Sequence, residues 1–299
     1  MNVTNNSGLP DQIVRLVSGG DRVRKEGVVS VTTLIRPPQQ NALEKEYEDD
    51  ITEDAADRIW AAYGTLMHLA IERSAEEHDE AIQELTFELP FDNWIVTGTP
   101  DHYQAGVLSD FKFTSVWSVI DGVKPDWEEQ LNFYAHLLKQ NGYPVDSIQI
   151  IALYRDWSKT RAHEQGYPQQ QVAIHFVNLW DDAHTHMVMQ ERLDAYEEAM
   201  AGHSRPCTPE ERWHRPDTWA VVKKGNKRAS RVLPTMKDAI EWARNQTDKE
   251  YYDVFNIEFR AGEDTRCDNY CRVAAFCPQY RAVVDTRMER LADKLAIVD

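Results

Sequence analysis

The stretch WIVTGTPDHYQAGVLSDFKF, residues 94–113, decides how this chain reads. Trp94–Thr99 is rich in β-branched residues and stops at Pro100-Asp101, and Val107–Phe113 resumes after a glycine turn. Two neighbouring strands are expected. On the second, alternation puts Asp110 and Lys112 on one face and Phe111 and Phe113 on the other. Carboxylates on adjacent strands, here Asp101 and Asp110, can hold Mg2+ or Mn2+ through oxygen ligands. A lysine two residues after one of them emerges on the same face, where its ammonium can orient a water nucleophile or offset charge developing on a phosphate. Gln130 and Tyr134, one helical turn apart, can brace that lysine or a phosphate. Each part alone has a plainer reading: Asp-x-Lys is more often a solvated strand face, and Gln-x-x-x-Tyr ordinary helix surface. The conjunction carries the weight.

Upstream, Ile59, Trp60, Tyr63, Leu66, Met67, Ala70 and Ile71 recur at helical spacing. The pattern predicts a helix over about 53–77 with a buried stripe. Gly64, His68 and Glu72 lie four apart on an adjoining stripe. A helical glycine usually permits a close approach, because it costs roughly 1 kcal/mol against alanine. His68 can add an imidazole ligand, which favours Mn2+ somewhat over Mg2+; Glu72 is left outside the ligand set. Strands are expected over 84–89, 147–154 and 172–177, and helices over 11–18, 127–140 and 181–200. The order of elements implies an α/β sandwich around a mixed sheet.

These residues resemble the PD-(D/E)XK nuclease superfamily, in its RecB-like branch of phage exonucleases and CRISPR-associated adaptation nucleases. Gly64-x-x-x-His68-x-x-x-Glu72 is similar to the branch's helix motif, Pro100-Asp101 to its first carboxylate motif, Asp110-Phe111-Lys112 to its second, and Gln130-x-x-x-Tyr134 to the motif after the core. The resemblance covers about residues 30–200 and the cysteines described below. It implies a restriction-endonuclease-like core, a mixed central sheet flanked by helices. It also implies a metal-dependent DNA exonuclease acting on single-stranded or end-exposed DNA and leaving a 5′-phosphate. His68, Asp101, Asp110 and the Phe111 carbonyl would face the metal, and Lys112, Gln130 and Tyr134 would complete the catalytic set.

Four cysteines, Cys207, Cys267, Cys271 and Cys277, form the second constellation, three of them within eleven residues. In a reducing compartment such a cluster points to bound metal rather than disulfides. Four thiolates suit a 4Fe–4S cluster or tetrahedral zinc, and ordinary buried thiols are the third option. One distant cysteine joined to three C-terminal ones, the last followed by Pro278, resembles the iron–sulfur staple of RecB-like nucleases. The chain departs from that pattern in placing the lone cysteine after the nuclease motifs and in its Cys-x-x-x-Cys spacing. The staple's role would be structural, and zinc is the less favoured occupant.

Between the cysteines, 219–224 and 228–233 read as strands joined at Gly225-Asn226, Thr235 as the cap of a helix reaching about Asn245, and 251–259 as a further strand. The expected organisation is an N-terminal arm over 1–55, a nuclease core over 56–204, a ββαβ insert over 205–265, and the cysteine cluster with a C-terminal helix over 266–299. Lys223, Lys224, Lys227, Arg228 and Arg231 cluster at the hairpin, with Trp219 nearby. They suit a grip on a DNA backbone, and equally a solubilising surface.

The whole chain has 299 residues with 33 Lys and Arg against 50 Asp and Glu, a formal charge of −17. That balance argues against a non-specific nucleic-acid coat, though not against one local phosphate-binding groove. No apolar run approaches the ~20 residues of a membrane span, and no secretory signal or ATP-binding phosphate loop is visible. A cytoplasmic, membrane-free protein is expected, host-cytoplasmic if encoded by a phage. Two other readings stay open: a subunit of a recombination, replication or adaptation complex with little activity alone, and a non-cutting iron–sulfur DNA-binding protein.

Overall fold

The computed structural model describes residues 2–18, 25–74, 81–120 and 122–296, without the side chains of 290–296. The chain divides into two units, Met1–Asn41 with Thr52–Ser204, and Ala42–Ile51 with Arg205–Asp299. In chain order the first contains β1 (Asn2–Thr4), α1 (Asp11–Ser18), β2 (Val28–Ser30) and α2 (Val31–Leu34). Helix α3 (Pro38–Glu46) runs into the segment that belongs to the second unit. The first unit continues with β3 (Thr52–Asp54), α4 (Ile59–Glu72), β4 (Ile82–Gln83), β5 (Phe87–Phe91), β6 (Trp94–Gly98), β7 (His102–Gln104) and β8 (Val107–Thr114). It closes with α5 (Pro125–Gln140), β9 (Ser147–Tyr154), β10 (Val172–Val177) and α6 (Asp182–Met200).

The first unit is α/β with mixed sheets. Its five-stranded sheet runs β10-β9-β8-β7-β4, with β8 parallel to β9 and every other pair antiparallel. A three-stranded sheet, β2-β6-β5, pairs β2 parallel and β5 antiparallel to β6. Strand β8 is therefore interior, paired with β7 at Ser109↔His102 and with β9 at Lys112↔Ala152. Helix α5 packs against strands of both sheets. That position explains why it is buried nearly all round, with Leu131, Phe133, Leu137 and Leu138 sealed from solvent. Each such side chain contributes about 1.5–3 kcal/mol by leaving water. Gly98 ends β6 where α5 comes closest: a Cβ there would meet Tyr134 Cδ1 at 2.8 Å and Leu137 Cδ2 at 2.9 Å. Only a hydrogen fits. The helix is also anchored by polar contacts, Asn132 accepting from Trp180 N at 2.8 Å and Glu129 taking a two-pronged grip from Arg192 at 2.5 and 2.8 Å.

The second unit contains β11 (His214–Arg215), β12 (Thr218–Lys223), β13 (Ala229–Leu233), α7 (Met236–Arg244), α8 (Tyr251–Val254), β14 (Phe255–Arg260), β15 (Glu263–Asp264), α9 (Thr265–Asn269) and α10 (Pro278–Ala296). Its antiparallel sheet runs β13-β12-β14, and α7 lays Ala239 and Ala243 against Val221 and Phe255. Thr235 caps α7, accepting from Asp238 N at 3.1 Å. The hairpin turn needs a left-handed residue, and Gly225 supplies it at φ +87°. No helix among the described residues is long and apolar enough to cross a membrane.

Four expectations are corrected. The helix expected over 53–77 is α4 alone; Thr52–Asp54 is a strand, and 75–77 fall outside the described residues. Its apolar stripe is not buried: no α4 residue is, and Trp60 is 57% exposed. Periodicity shows that a stripe exists but not what covers it. The strand expected from Glu84 begins at Phe87, since Glu84 takes a left-handed turn at φ +49°. The strand expected over 251–259 opens instead with the helical turn α8.

Candidate active site

Strands β7 and β8 and helices α4 and α5 converge on one group of polar side chains. Asp101 precedes β7, and antiparallel pairing of that strand with β8 brings it opposite Asp110 and Phe111. The Phe111 N–H donates to Asp101 Oδ2 at 2.7 Å, which fixes the carboxylate. Its other oxygen, Oδ1, lies 3.4 Å from His68 Nδ1 on α4. Glu84 Oε1 stands 3.7 Å from the same nitrogen, because β4 pairs with β7 and the left-handed turn at Glu84 follows directly.

His68, Glu84 and Asp101 each offer a ligand atom, all within 4.8 Å of one another. Opposite ligands of an octahedral Mg2+ stand about 4.2 Å apart, so small side-chain adjustments would close this set around a hard divalent cation. Glu84 was not among the residues expected from the sequence. Its only local sign is an acidic residue at the end of a short apolar segment; its place depends on pairing with residues some twenty positions later.

Asp110 lies beside this set rather than within it. Its side chain is 2% exposed, and Lys112 Nζ approaches its Oδ2 at 2.8 Å. That oxygen is held by the Lys112 ammonium alone, the remaining partners of a buried carboxylate being absent among the described residues. Burial pushes the Asp110 carboxyl up to about 6; the Lys112 charge opposes this and the Asp101 charge adds to it. Hydrogen bonding to Asp101 raises the His68 imidazole above its usual value, against the effect of burial. Burial, then the Asp101 charge, raises Glu84. Clustered carboxyls that resist ionisation are what a bound cation would relieve.

Lys112 Nζ donates to Gln130 Oε1 at 3.0 Å, and Gln130 Nε2 donates to Tyr134 OH at 3.1 Å. The i,i+4 pair on α5 thus forms a chain ending on the ammonium. The Trp127 ring centroid is 5.7 Å from Lys112 Nζ and 4.9 Å from Lys124 Nζ. Of the residues expected at this site, the structure brings together His68, Asp101, Asp110, Lys112, Gln130 and Tyr134. Phe111 enters through its amide.

The four thiols lie together in the second unit. Cys277 is buried and the other three half-buried. Burial pushes Cys207 and Cys267 up to about 12, and the neighbouring thiols add in the same direction. Gln279 clamps the Cys207 backbone, accepting from its N–H at 2.9 Å and donating to its carbonyl at 2.8 Å. Arg212 reaches the same carbonyl at 3.3 Å and pairs with the buried Asp264, which also holds His214 Nδ1 at 2.8 Å. Residues 42–51 join this region through Tyr47, stacked on Phe276 at 4.5 Å, and Glu44, 3.6 Å from Arg272. Lys223, Lys224, Lys227, Arg228 and Arg231 are all exposed around the β12–β13 turn.

Residues 211–251 match a family described as an uncharacterized protein conserved in bacteria, DUF2188. The matched segment holds β12, β13 and α7. No curated protein sequence matches the chain. Among solved structures, the fold is similar to SSO0001 at TM-score 0.44 and 18% identity, covering 62% of this chain and 84% of that one. It is similar to an alkaline exonuclease, LHK-Exo, from Laribacter hongkongensis at TM-score 0.34 and 10% identity, covering 59% and 91%. A putative exonuclease from Eubacterium rectale aligns at TM-score 0.31 and 14% identity, covering 55% and 62%.

Proposed function

We propose that this protein is a metal-dependent DNA nuclease of the PD-(D/E)XK type, cutting phosphodiester bonds of single-stranded or end-exposed DNA as an exonuclease. The observation that carries the reading is the buried Asp110–Lys112 pair standing beside the His68–Glu84–Asp101 donor set. Plain binding has no need of a desolvated carboxylate paired with an ammonium beside three more ligand groups.

Mg2+ or Mn2+ would be held by His68, Glu84, Asp101 and Asp110, with the Phe111 carbonyl as a backbone ligand. When bound, such an ion supplies Lewis acidity and makes water a better nucleophile. Lys112 orients the attacking water and offsets the charge that grows on the phosphate. Gln130 and Tyr134 keep its ammonium aimed at the reacting phosphorus. Attack in line with the 3′-oxygen breaks the P–O3′ bond: the departing fragment takes up a proton as a 3′-hydroxyl, and the other fragment keeps a 5′-phosphate.

The deciding experiment incubates end-labelled single- and double-stranded DNA with Mn2+, with and without EDTA. Mn2+-dependent cleavage that falls on the order of a hundredfold in Asp110→Ala and in Lys112→Ala is expected. Full activity in both variants overturns the assignment. Cleavage seen only on adding another protein would move the chain to the role of a complex subunit.

The cysteines hold a 4Fe–4S cluster with a structural role in the second unit. Zinc sites commonly use two tight Cys-x-x-Cys pairs, whereas here one isolated thiol joins three C-terminal ones, the last before Pro278. The basic hairpin adds a backbone grip on DNA, tested by reversing the charges of Lys223, Lys224 and Lys227 and reading the salt dependence of binding.

A further inference from the structure

Helix α4 carries more than His68. Gly64 and Trp60 lie four and eight residues before it on the same stripe, so the row runs about 12 Å along the axis from the candidate site. Among the described residues nothing stands within 4 Å of the position a Cβ on Gly64 would take. The glycine weakens the helix, and no described protein group makes use of the bare backbone it leaves. At the far end, Trp60 is 57% exposed and Tyr63 46%. The Arg155 guanidinium sits 4.4 Å from the Trp60 centroid, and the Tyr63 ring meets Trp60 at 5.5 Å.

Arg155 follows the last residue of β9, the strand paired in parallel with β8. Its N–H donates to the Thr114 carbonyl at 2.9 Å, two residues beyond Lys112 and on the same face. An arginine stacked on an exposed tryptophan, in a chain of net charge −17, thus stands about 12 Å along α4 from the candidate site.

We infer that this row is the track on which single-stranded DNA enters the site. A base stacks against the Trp60–Arg155 pair, Arg155 neutralises the adjoining phosphate, and the backbone crosses the bare helix at Gly64 toward His68 and Asp101. Stacking on a free ring requires a base that has left the duplex, so the track selects single strands without reading their sequence. This rests on the nuclease reading and adds to it a binding track that narrows the substrate to unpaired strands.

Binding without turnover separates the two. Fluorescence anisotropy with labelled oligo(dT) of about ten nucleotides, in EDTA and again in Ca2+, reads the track, while Mn2+-dependent cleavage by the unaltered protein reads the nuclease. Oligo(dT) should bind more tightly than a blunt duplex of equal length. Trp60→Ala should weaken it about tenfold, with Trp60→Phe recovering most of the loss. Arg155→Ala should reduce the salt slope by about 0.7. Gly64→Leu, which favours the helix, should lower affinity by blocking the path. Unaltered oligo(dT) affinity in both Trp60→Ala and Gly64→Leu overturns the track even if cleavage stands; equal or absent binding of both DNAs by the unaltered protein does the same.

Discussion

Gln130 Oε1 accepts from Lys112 Nζ at 3.0 Å, so a residue of α5 sets where the ammonium of β8 stands. Gln130→Met keeps the length of the side chain and removes the acceptor. Hydrogen bonds to a charged group contribute about 1.5–3 kcal/mol, so turnover on DNA should fall ten- to a hundredfold. Steady-state cleavage with Mn2+ should show this in kcat with KM nearly unchanged. A KM effect alone would place Gln130 on the substrate instead.

Asp110 gives the metal-free protein a pH dependence of definite sign. Its carboxyl is raised from 3.8 to about 6 in the fold, so between those values the folded state holds more protons than the unfolded chain. Stability from this group therefore rises as pH falls through 6 toward 4. The raised His68 acts in the same sense, its contribution being present at low pH and lost as pH climbs past its folded value. Asp110→Asn should lose this pH dependence, its stability relative to the unaltered protein falling as pH drops from 7 toward 4. Melting in EDTA across that range measures it.

Glu84 should matter to metal binding more than to folding, because its carboxylate is half-exposed and faces His68 and Asp101. Glu84→Gln should weaken Mn2+ binding at least about tenfold by calorimetry, with the melting temperature in EDTA unchanged or higher. Mn2+ affinity in the unaltered protein should also drop below about pH 6, where protons compete for Asp110.

The thiols make a colour and composition test. Freshly purified protein should be brown and carry about four iron atoms. Cys271→Ala should remove both and destabilise the second unit, since metal binding of this type contributes folding free energy directly. Colourless protein with stoichiometric zinc would reassign the occupant.

Gly98→Ala tests the packing behind the site. The added methyl would meet Tyr134 and Leu137 at 2.8–2.9 Å. A loss of about 1–3 kcal/mol in denaturant titration is expected, as for other overpacked cores. Cleavage should fall with it, because Tyr134 is the ring that must move.

Much of the site can be read from local periodicity. Alternation along β8 places Asp110 beside Lys112, and the four-residue spacing on α5 places Gln130 beside Tyr134. Helix α6 and strands β9 and β10 likewise follow from caps and apolar runs. Glu84 does not, because its approach to Asp101 is created by pairing of β4 with β7 and by a backbone twist at φ +49°. The exposure of α4 is equally hidden, since hydrophobic spacing is the same whether a stripe is covered by protein or left exposed. The partner of residues 42–51 lies at the opposite end of the chain, and no local pattern announces it.

That last arrangement fixes an order of events during synthesis. Tyr47 and Glu44 leave the ribosome more than two hundred residues before Phe276 and Arg272, with which they pack. At 5–20 residues per second they wait roughly ten seconds or longer without a mate. A chain cut short after Ser204 would keep the Asp110–Lys112 site yet strand this aromatic and acidic segment, so nonsense or proteolytic fragments should be prone to clumping and chaperone capture.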